Sequence, residues 1–78
     1  MTHKLLSPLP GTFYRRPSPD KPPYKNEGDT VAVGDVIGLI EVMKSFNEVK
    51  ADKAGTLKSF AADNEEPVMA GQLLAEIG

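Results

Sequence analysis

Short apolar segments separated by turn residues recur along the whole chain. Each segment alternates apolar and polar positions or is continuously apolar, and Gly, Pro, Asp or Asn bound it. Apolar residues do not recur at helical spacing for long enough to predict a helix. The pattern therefore predicts an all-β domain, with strands at Gly11–Tyr14, Thr30–Val33, Val36–Val42, Phe46–Ala51, Gly55–Phe60, Pro67–Met69 and Leu73–Ile77.

The second half of the chain repeats the first. Val31–Ile37 (VAVGDVI) matches Val68–Leu74 (VMAGQLL) at an offset of 37 residues. Gly11–Phe13 matches Gly55–Leu57 at an offset of 44, so the first copy holds seven additional residues. Because each half is too small to bury its apolar face alone, we expect the halves to pack together as a flattened barrel or sandwich with quasi-twofold symmetry.

The additional residues lie in a proline-rich insertion. Arg15–Pro23 (RRPSPDKPP) contains four of the seven prolines of the chain. Each Pro fixes φ and lacks an N–H, so this stretch is predicted to be a stiff protruding loop and not an interior strand. Two interpretations remain open: a tolerated surface insertion, or a loop whose low entropy cost suits contact with another molecule.

Lys44 lies at the connection between the two halves. Val36–Val42 and Phe46–Ala51 would pair as a hairpin, with Met43-Lys44 or a residue either side at its tip. A tip Lys is ordinarily just solvated, but the large apolar Met43 at a turn indicates that something docks there. We interpret Lys44 as an acceptor that another enzyme modifies, and the domain as a carrier.

Composition excludes several classes of function. Nine basic and eleven acidic residues give a net charge of −2, which provides no basic surface for nucleic acid or an anionic membrane. The absence of Cys excludes disulfides and thiolate catalysis, and the single His, His3, is expected at a frayed terminus. We find no catalytic set, since Glu41, Glu48, Glu65 and Glu66 are interpreted as solvated or turn charges. With no signal peptide or membrane span, we expect a cytoplasmic protein.

A set of motifs extends over nearly the whole chain and carries a family resemblance. The motifs are Ser7–Arg15, Pro17–Asp20, Gly34-Asp35, Glu41, Met43-Lys44, Asn47, Ala51–Lys53 and Gly55-Thr56. Together they resemble the biotinyl domain of bacterial acetyl-CoA carboxylase biotin carboxyl carrier proteins. The resemblance includes the proline-rich insertion, which is known in that family as a thumb.

The resemblance implies a fold and a cofactor site. The fold is a flattened barrel of two four-stranded antiparallel sheets, with residues 1–78 as one biotinyl domain and the thumb at about residues 15–25. Biotin would be attached covalently to Lys44. The other implied cofactor-binding residues are Glu41, Met43 and Ser45 beside the attachment point. The implied thumb residues are Arg16, Pro17, Ser18 and Pro19.

The resemblance also implies partners. A biotin protein ligase would attach the biotin, and a biotin carboxylase and a carboxyltransferase would use it in turn to make malonyl-CoA for fatty-acid synthesis. The domain itself would catalyse neither half-reaction. Its contribution is to raise the effective concentration of a tethered cofactor at two sites.

The chain departs from the family pattern at three positions. The family usually has Glu-Ala-Met-Lys-Met at the tip, whereas here Val42 replaces Ala and Ser45 replaces the second Met. Arg16 stands where the thumb commonly has Thr, and Arg is longer and charged. Longer carriers of the family have a further segment and a linker before this domain, so the chain is expected to be an excised domain or a small free-standing carrier.

Two alternatives stay open at this point. A lipoyl domain shares the barrel and usually has Asp-Lys-Ala at its tip, and this chain contains Asp52-Lys53-Ala54. The repeat, however, pairs that triplet with Pro8–Pro10, which predicts a turn away from the junction between the halves. The second alternative is an unmodified structural or adaptor domain with the same fold.

Overall fold

The computed structural model describes residues 2–78, which form eight β-strands and no helix. Four strands have the bounds that the sequence predicts, and three differ by one or two residues. The eighth, β1, was absent from the predicted set. The strands are β1 (His3–Leu6), β2 (Gly11–Tyr14), β3 (Thr30–Val31), β4 (Val36–Val42), β5 (Ser45–Lys50), β6 (Gly55–Phe60), β7 (Glu66–Val68) and β8 (Leu73–Ile77).

The terminal strand β1 corrects the expectation of a frayed N-terminal segment. Its sequence, HKLL, has a single buried residue, Leu5, so its apolar pattern is too short to recognise. Antiparallel pairing with β8, beginning at His3 opposite Ile77, holds the strand in place. The His3 ring is also anchored, because its Nε2 atom lies 2.7 Å from Oδ1 of Asp52.

The strands form two four-stranded antiparallel sheets, which confirms the predicted fold class. Their orders are β1-β8-β6-β3 and β5-β4-β2-β7. Exchanging each strand for its counterpart in the other half, β1 for β5 and β8 for β4, converts one order into the other. The sequence repeat is therefore a quasi-twofold symmetry of the structure.

The repeated turns before β4 and β8 show the same symmetry in their local geometry. Gly34 and Gly71 occupy equivalent positions with left-handed φ values of 93° and 83°. The next side chain, Asp35 or Gln72, accepts a hydrogen bond from the backbone N–H three residues earlier, at 2.9 and 3.0 Å. The corresponding turns of the two halves are thus closed by equivalent hydrogen bonds to different side chains.

The hydrophobic core lies between the sheets. A glycine at position 38 makes room for the largest core side chain, since a Cβ there would lie 2.6 Å from the ring of Phe13. Leu39, the next residue along β4, is only 8% exposed although it lies outside the core cluster. The largest fully buried side chains are Phe13, Ile37, Ile40, Leu57, Leu74, Ile77 and Val31.

The thumb, residues 15–25, leaves the barrel between β2 and β3. The Tyr24 N–H donates to the Arg15 carbonyl oxygen at 3.0 Å and closes the base of the loop. Lys25 Nζ donates to the Thr30 carbonyl oxygen at 3.1 Å and lies 3.3 Å from Oδ2 of Asp35. These contacts hold the thumb at its base.

Candidate functional site

The β4–β5 hairpin places Lys44 at its tip, where the sequence predicts it. Val42 pairs with Ser45, which leaves Met43 and Lys44 as a two-residue turn. Both have left-handed φ values, 51° and 66°, as in the type I′ turns that fit the twist of a hairpin. Met43 is 95% exposed, and the exposed Lys44 side chain forms no salt bridge or hydrogen bond within residues 2–78.

This turn is energetically costly for the residues that occupy it. Asn and Gly are the usual residues at left-handed positions of a two-residue hairpin turn, whereas other L-residues cost about 1–2 kcal/mol each there. Met43 and Lys44 therefore stabilise this turn less than Asn and Gly would at the same positions. Their presence at an exposed tip indicates a role outside folding.

Three side chains next to the tip form a cluster on the outer face of the second sheet. The Tyr14 hydroxyl donates to Oε1 of Glu41 at 2.9 Å, and the Tyr14 and Phe46 ring centroids lie 6.1 Å apart. Glu41 and Phe46 face each other across β4 and β5. The interpretation of Glu41 as a solvated charge is therefore wrong, because it is half-buried and orients a tyrosine.

The cluster is electrostatically negative around the Tyr14 hydroxyl. Its hydrogen bond to Glu41 raises the pKa of Tyr14 above the ordinary value, and partial burial of the hydroxyl raises it further. The charge of Glu41 and then that of Glu65 add to the effect. Two carboxylates from different elements therefore lie close to one phenol.

The departures from the family tip sequence have modest structural consequences. Val42 packs against the hydrophobic core, and Ser45 is exposed. The Asn47 side chain braces the hairpin, because its Nδ2 donates to the carbonyl oxygens of Ile40 and Ser45, each at 3.3 Å. The hairpin is thus held by its own backbone pairing and by Asn47, and it does not depend on an apolar residue at position 45.

A cleft of about 380 Å³ lies between the thumb and the second sheet. Its lining includes all four of the predicted thumb residues, and the tip residues Glu41, Met43, Lys44 and Ser45 lie outside it. The sequence did not indicate the remaining members, which come from β2, β5 and the β6–β7 loop. The lining residues are Tyr14, Arg16, Pro17, Ser18, Pro19, Phe46, Asn64 and Glu65.

The two thumb arginines have different environments. The Arg15 guanidinium stacks 3.9 Å above the ring centroid of Phe60, and its backbone N–H donates to Oδ1 of Asn64 at 2.8 Å. Arg16 instead lines the cleft, and its inaccessible Nε atom has no hydrogen-bond partner within residues 2–78. Arg15 thus packs on Phe60 whereas Arg16 faces the cleft, and the buried Nε atom of Arg15 likewise has no hydrogen-bond partner within residues 2–78.

The Asp52-Lys53-Ala54 triplet, which resembles a lipoyl attachment motif, lies at the opposite end of β5 from the hairpin tip. It occupies the loop between β5 and β6, as the repeat predicts, and its three residues are exposed. The left-handed two-residue turn of a hairpin is found at Met43-Lys44 instead. Lys44, and not Lys53, is therefore the lysine at the tip of the β4–β5 hairpin.

Comparison with known proteins gives the family. The model of the biotin/lipoyl family, described as "Biotin-requiring enzyme", matches residues 3–77. The chain belongs to this family. Its two four-stranded sheets are accordingly those of a domain of this family.

Several similar proteins are biotin carboxyl carrier proteins of acetyl-CoA carboxylase. The chain is 45% identical over 64 residues to chloroplastic carrier protein 2 of Arabidopsis thaliana, covering 82% of this chain and 25% of that protein. It is 42% identical over 73 residues to the carrier protein of Chlamydia trachomatis, covering 94% and 44%. For the Haemophilus influenzae carrier protein the identity is 40% over 73 residues, covering 86% and 47%. The chain spans less than half the length of these relatives.

A solved structure supports the same fold. The whole chain superposes on 6% of the crystal structure of Kluyveromyces lactis urea carboxylase, with a TM-score of 0.81 and 31% sequence identity. Within residues 2–78, no helix is long and apolar enough to cross a membrane. The same residues contain no group of three or more His, Asp or Glu side chains arranged to hold a metal ion.

Proposed function

We propose that residues 1–78 form one biotinyl domain, in which biotin is joined by an amide bond to Nζ of Lys44. The observation that carries the proposal is an exposed lysine with no side-chain partner within residues 2–78. It lies beside an exposed methionine on a costly two-residue turn, in a chain of the biotin/lipoyl family. Glu41 and Ser45 flank this tip. The thumb residues Arg16, Pro17, Ser18 and Pro19 are proposed to face the cofactor.

The residues of the site suit the chemistry of biotin. Its apolar stem and ring would pack against the Tyr14 and Phe46 rings, and its polar ureido oxygen would accept a hydrogen bond from the guanidinium of Arg16, which lines the cleft. Arginine donates hydrogen bonds and accepts none, so it complements a ureido oxygen. Arg16 would thus fulfil the contact expected of the thumb despite its departure from the family pattern.

The residues of this domain would hold the biotin and present it to the partner enzymes. Bound biotin supplies a site that accepts a carboxyl group and later gives it up. Amide formation removes the charge of Lys44, and the stiff hairpin carries the resulting neutral stem at its tip. The thumb cleft would shield the head group from water when it is not in a partner enzyme, and the tether raises its local concentration at each partner.

The names of the similar proteins support a set of partners. We propose a biotin protein ligase as the modifying enzyme, and a biotin carboxylase and a carboxyltransferase as the enzymes that use the cofactor. The proposed pathway is acetyl-CoA carboxylation for fatty-acid synthesis in the cytoplasm, with this chain as a non-catalytic carrier. Its net charge of −2 supports partners other than nucleic acid or a membrane surface.

Intact-mass analysis tests the attachment site. Co-expression with a biotin protein ligase should add one biotin to the wild-type protein and none to Lys44→Arg, which keeps the charge but is not an acceptor amine. Lys53→Arg is the matched control and should be modified like the wild type, because Lys53 lies in the β5–β6 loop. An unmodified wild type with an active ligase, or equal modification of Lys44→Arg, contradicts the proposal.

The same measurement decides between biotin and lipoate. A parallel co-expression with a lipoyl ligase should leave the protein unmodified, since Met43 precedes the acceptor where lipoyl domains usually have Asp. Lipoyl mass on the wild type, with no biotin mass in the first experiment, would select the lipoyl alternative. No added mass from either ligase would select the unmodified adaptor domain.

A further inference from the structure

Glu65 has a backbone conformation that glycine would adopt more readily. Its φ is 65°, in the left-handed region, and its N–H donates to the Phe13 carbonyl oxygen at 2.7 Å. This hydrogen bond fixes the β6–β7 loop, the counterpart of the thumb, against β2. A non-glycine residue in such a conformation suggests that its side chain has a purpose.

The Glu65 carboxylate lines the thumb cleft without a cationic partner. Its Oε2 atom accepts one long hydrogen bond, from Nδ2 of Asn64 at 3.5 Å, and the carboxylate forms no salt bridge within residues 2–78. Its charge is close enough to Tyr14 to contribute to the raised pKa of that phenol, after the larger effects of Glu41 and burial. The carboxylate thus retains free acceptor capacity on the Tyr14 side of the cleft.

Arg16 brings the opposite charge to the same cleft, yet the two residues do not pair. No salt bridge joins them, and the Arg16 guanidinium, which also lines the cleft, forms no salt bridge with any carboxylate within residues 2–78. The cleft therefore presents one strong donor and one strong acceptor, with the Tyr14 and Phe46 rings as an apolar wall. A neutral molecule with its own donor and acceptor would satisfy both, whereas a simple anion would be repelled by Glu65 and a simple cation by Arg16.

We propose that Glu65 is a contact residue for the head group of the tethered cofactor, accepting a hydrogen bond from a ureido N–H while Arg16 donates to the ureido oxygen. This inference rests on the proposed function, in which Lys44 carries biotin. A cyclic urea has an N–H donor beside its carbonyl acceptor, which is the combination that the cleft complements. Hydrogen bonds to charged groups are shorter and stronger than neutral ones.

The pair would also make the cleft selective. The dithiolane ring of a lipoyl group has neither an N–H donor nor a carbonyl acceptor. Such a ring in this cleft would leave Glu65 and Arg16 partly desolvated and unpaired, which disfavours its binding. The selectivity would come from penalising the wrong cargo as well as from stabilising the right one.

NMR of the ureido protons tests the proposal on protein that carries biotin on Lys44. Compared with free biotinyl-lysine, one ureido N–H of the wild type should resonate downfield and exchange with water about tenfold more slowly. Glu65→Gly should return both values close to those of biotinyl-lysine. Because glycine suits the left-handed conformation, this variant should stay folded, which a 15N-HSQC spectrum of the protein checks. Glu65→Gln, which keeps a neutral acceptor, should be intermediate.

The matched control is Glu48→Gln, which removes a carboxylate from exposed β5 outside the cleft lining and should behave like the wild type. If the wild-type ureido signals equal those of biotinyl-lysine, the inference about Glu65 is wrong and the biotin carrier function stands. The inference is also wrong if the ureido signals are shifted in the wild type and Glu65→Gly does not change them. Absence of biotin mass on Lys44 overturns the proposed function and this inference together.

Discussion

At the scale of single residues, Tyr14 connects the sheet to both candidate site regions. Its ring contacts the Phe46 ring, and its hydroxyl donates a hydrogen bond to Glu41 next to the tip. It also lines the cleft opposite the thumb. The sequence places Tyr14 in a predicted strand and in the Ser7–Arg15 motif, and it indicates no contact for its side chain. Its role became visible because β2 and β4 pair, which brings together residues 27 positions apart in the chain.

The raised pKa of Tyr14 predicts a titration that Glu41 controls. In a Tyr24→Phe background, which leaves a single tyrosine, spectrophotometric titration should show Tyr14 ionising above its ordinary pKa. Glu41→Gln should lower this pKa, because the charged acceptor of the hydroxyl proton is lost. Glu48→Gln should leave it unchanged, and an equal shift in both variants would contradict the assigned cause.

The raised pKa of Tyr14 also predicts how the stability of the domain changes at high pH. The folded state holds the Tyr14 proton more tightly than the unfolded chain, so the contribution of Tyr14 is complete below about pH 10. It is lost as the pH rises through the folded-state pKa. Chemical denaturation above pH 10 should therefore show a steeper loss of stability for the Tyr24→Phe protein than for Tyr24→Phe with Glu41→Gln.

At the scale of elements, the thumb is the part that distinguishes the two halves. Its proline content predicted a protruding loop and no interior strand. The structure has no strand between β2 and β3, and the Tyr24 N–H closes the thumb by donating to the Arg15 carbonyl oxygen. What the sequence could not predict is how the four thumb residues 16–19 are oriented. Prolines restrict φ locally, but the cleft exists because the loop lies opposite a sheet face and the β6–β7 loop.

Removal of the thumb should leave the barrel folded. Deleting Pro17–Pro22 and changing Pro23→Gly would join Arg15 and Tyr24 through a four-residue turn that keeps their backbone hydrogen bond. Glycine is chosen because Pro is disfavoured at the third position of a type I turn. Thermal unfolding should stay cooperative, since the equivalent β6–β7 connection in the second half of the domain contains no such insertion. A deletion variant without a cooperative transition would show that the thumb is structural.

At the scale of the whole molecule, stability depends on one core shared by both halves. A domain of this size has a net stability of only about 4–12 kcal/mol, so a single large core residue can decide whether it folds. Phe13 is fully buried between the sheets, whereas Phe46 is 58% exposed at the cleft. The two phenylalanines therefore offer a matched comparison of folding and site roles.

Truncation of the two phenylalanines should have very different effects. Phe13→Ala should lower the free energy of unfolding by about 3–5 kcal/mol, because it leaves a cavity in a close-packed core. Phe46→Ala should change it by less than about 1 kcal/mol, since little buried area and one aromatic contact are lost. Urea denaturation of the unmodified proteins measures both. Comparable losses would show that the cleft wall belongs to the folding core.

The sequence by itself determined the strands of the repeat, the turn glycines at 34 and 71, and the tip position of Lys44. These follow from local periodicity, from turn preferences and from the offset between the halves, all of which act over short stretches of chain. The tertiary structure alone decided that His3 lies in a paired strand, that Arg15 stacks on Phe60 while Arg16 faces the cleft, and that Glu65 lines the same cleft as the thumb. Those features depend on contacts between segments far apart in the chain, for which no local pattern exists.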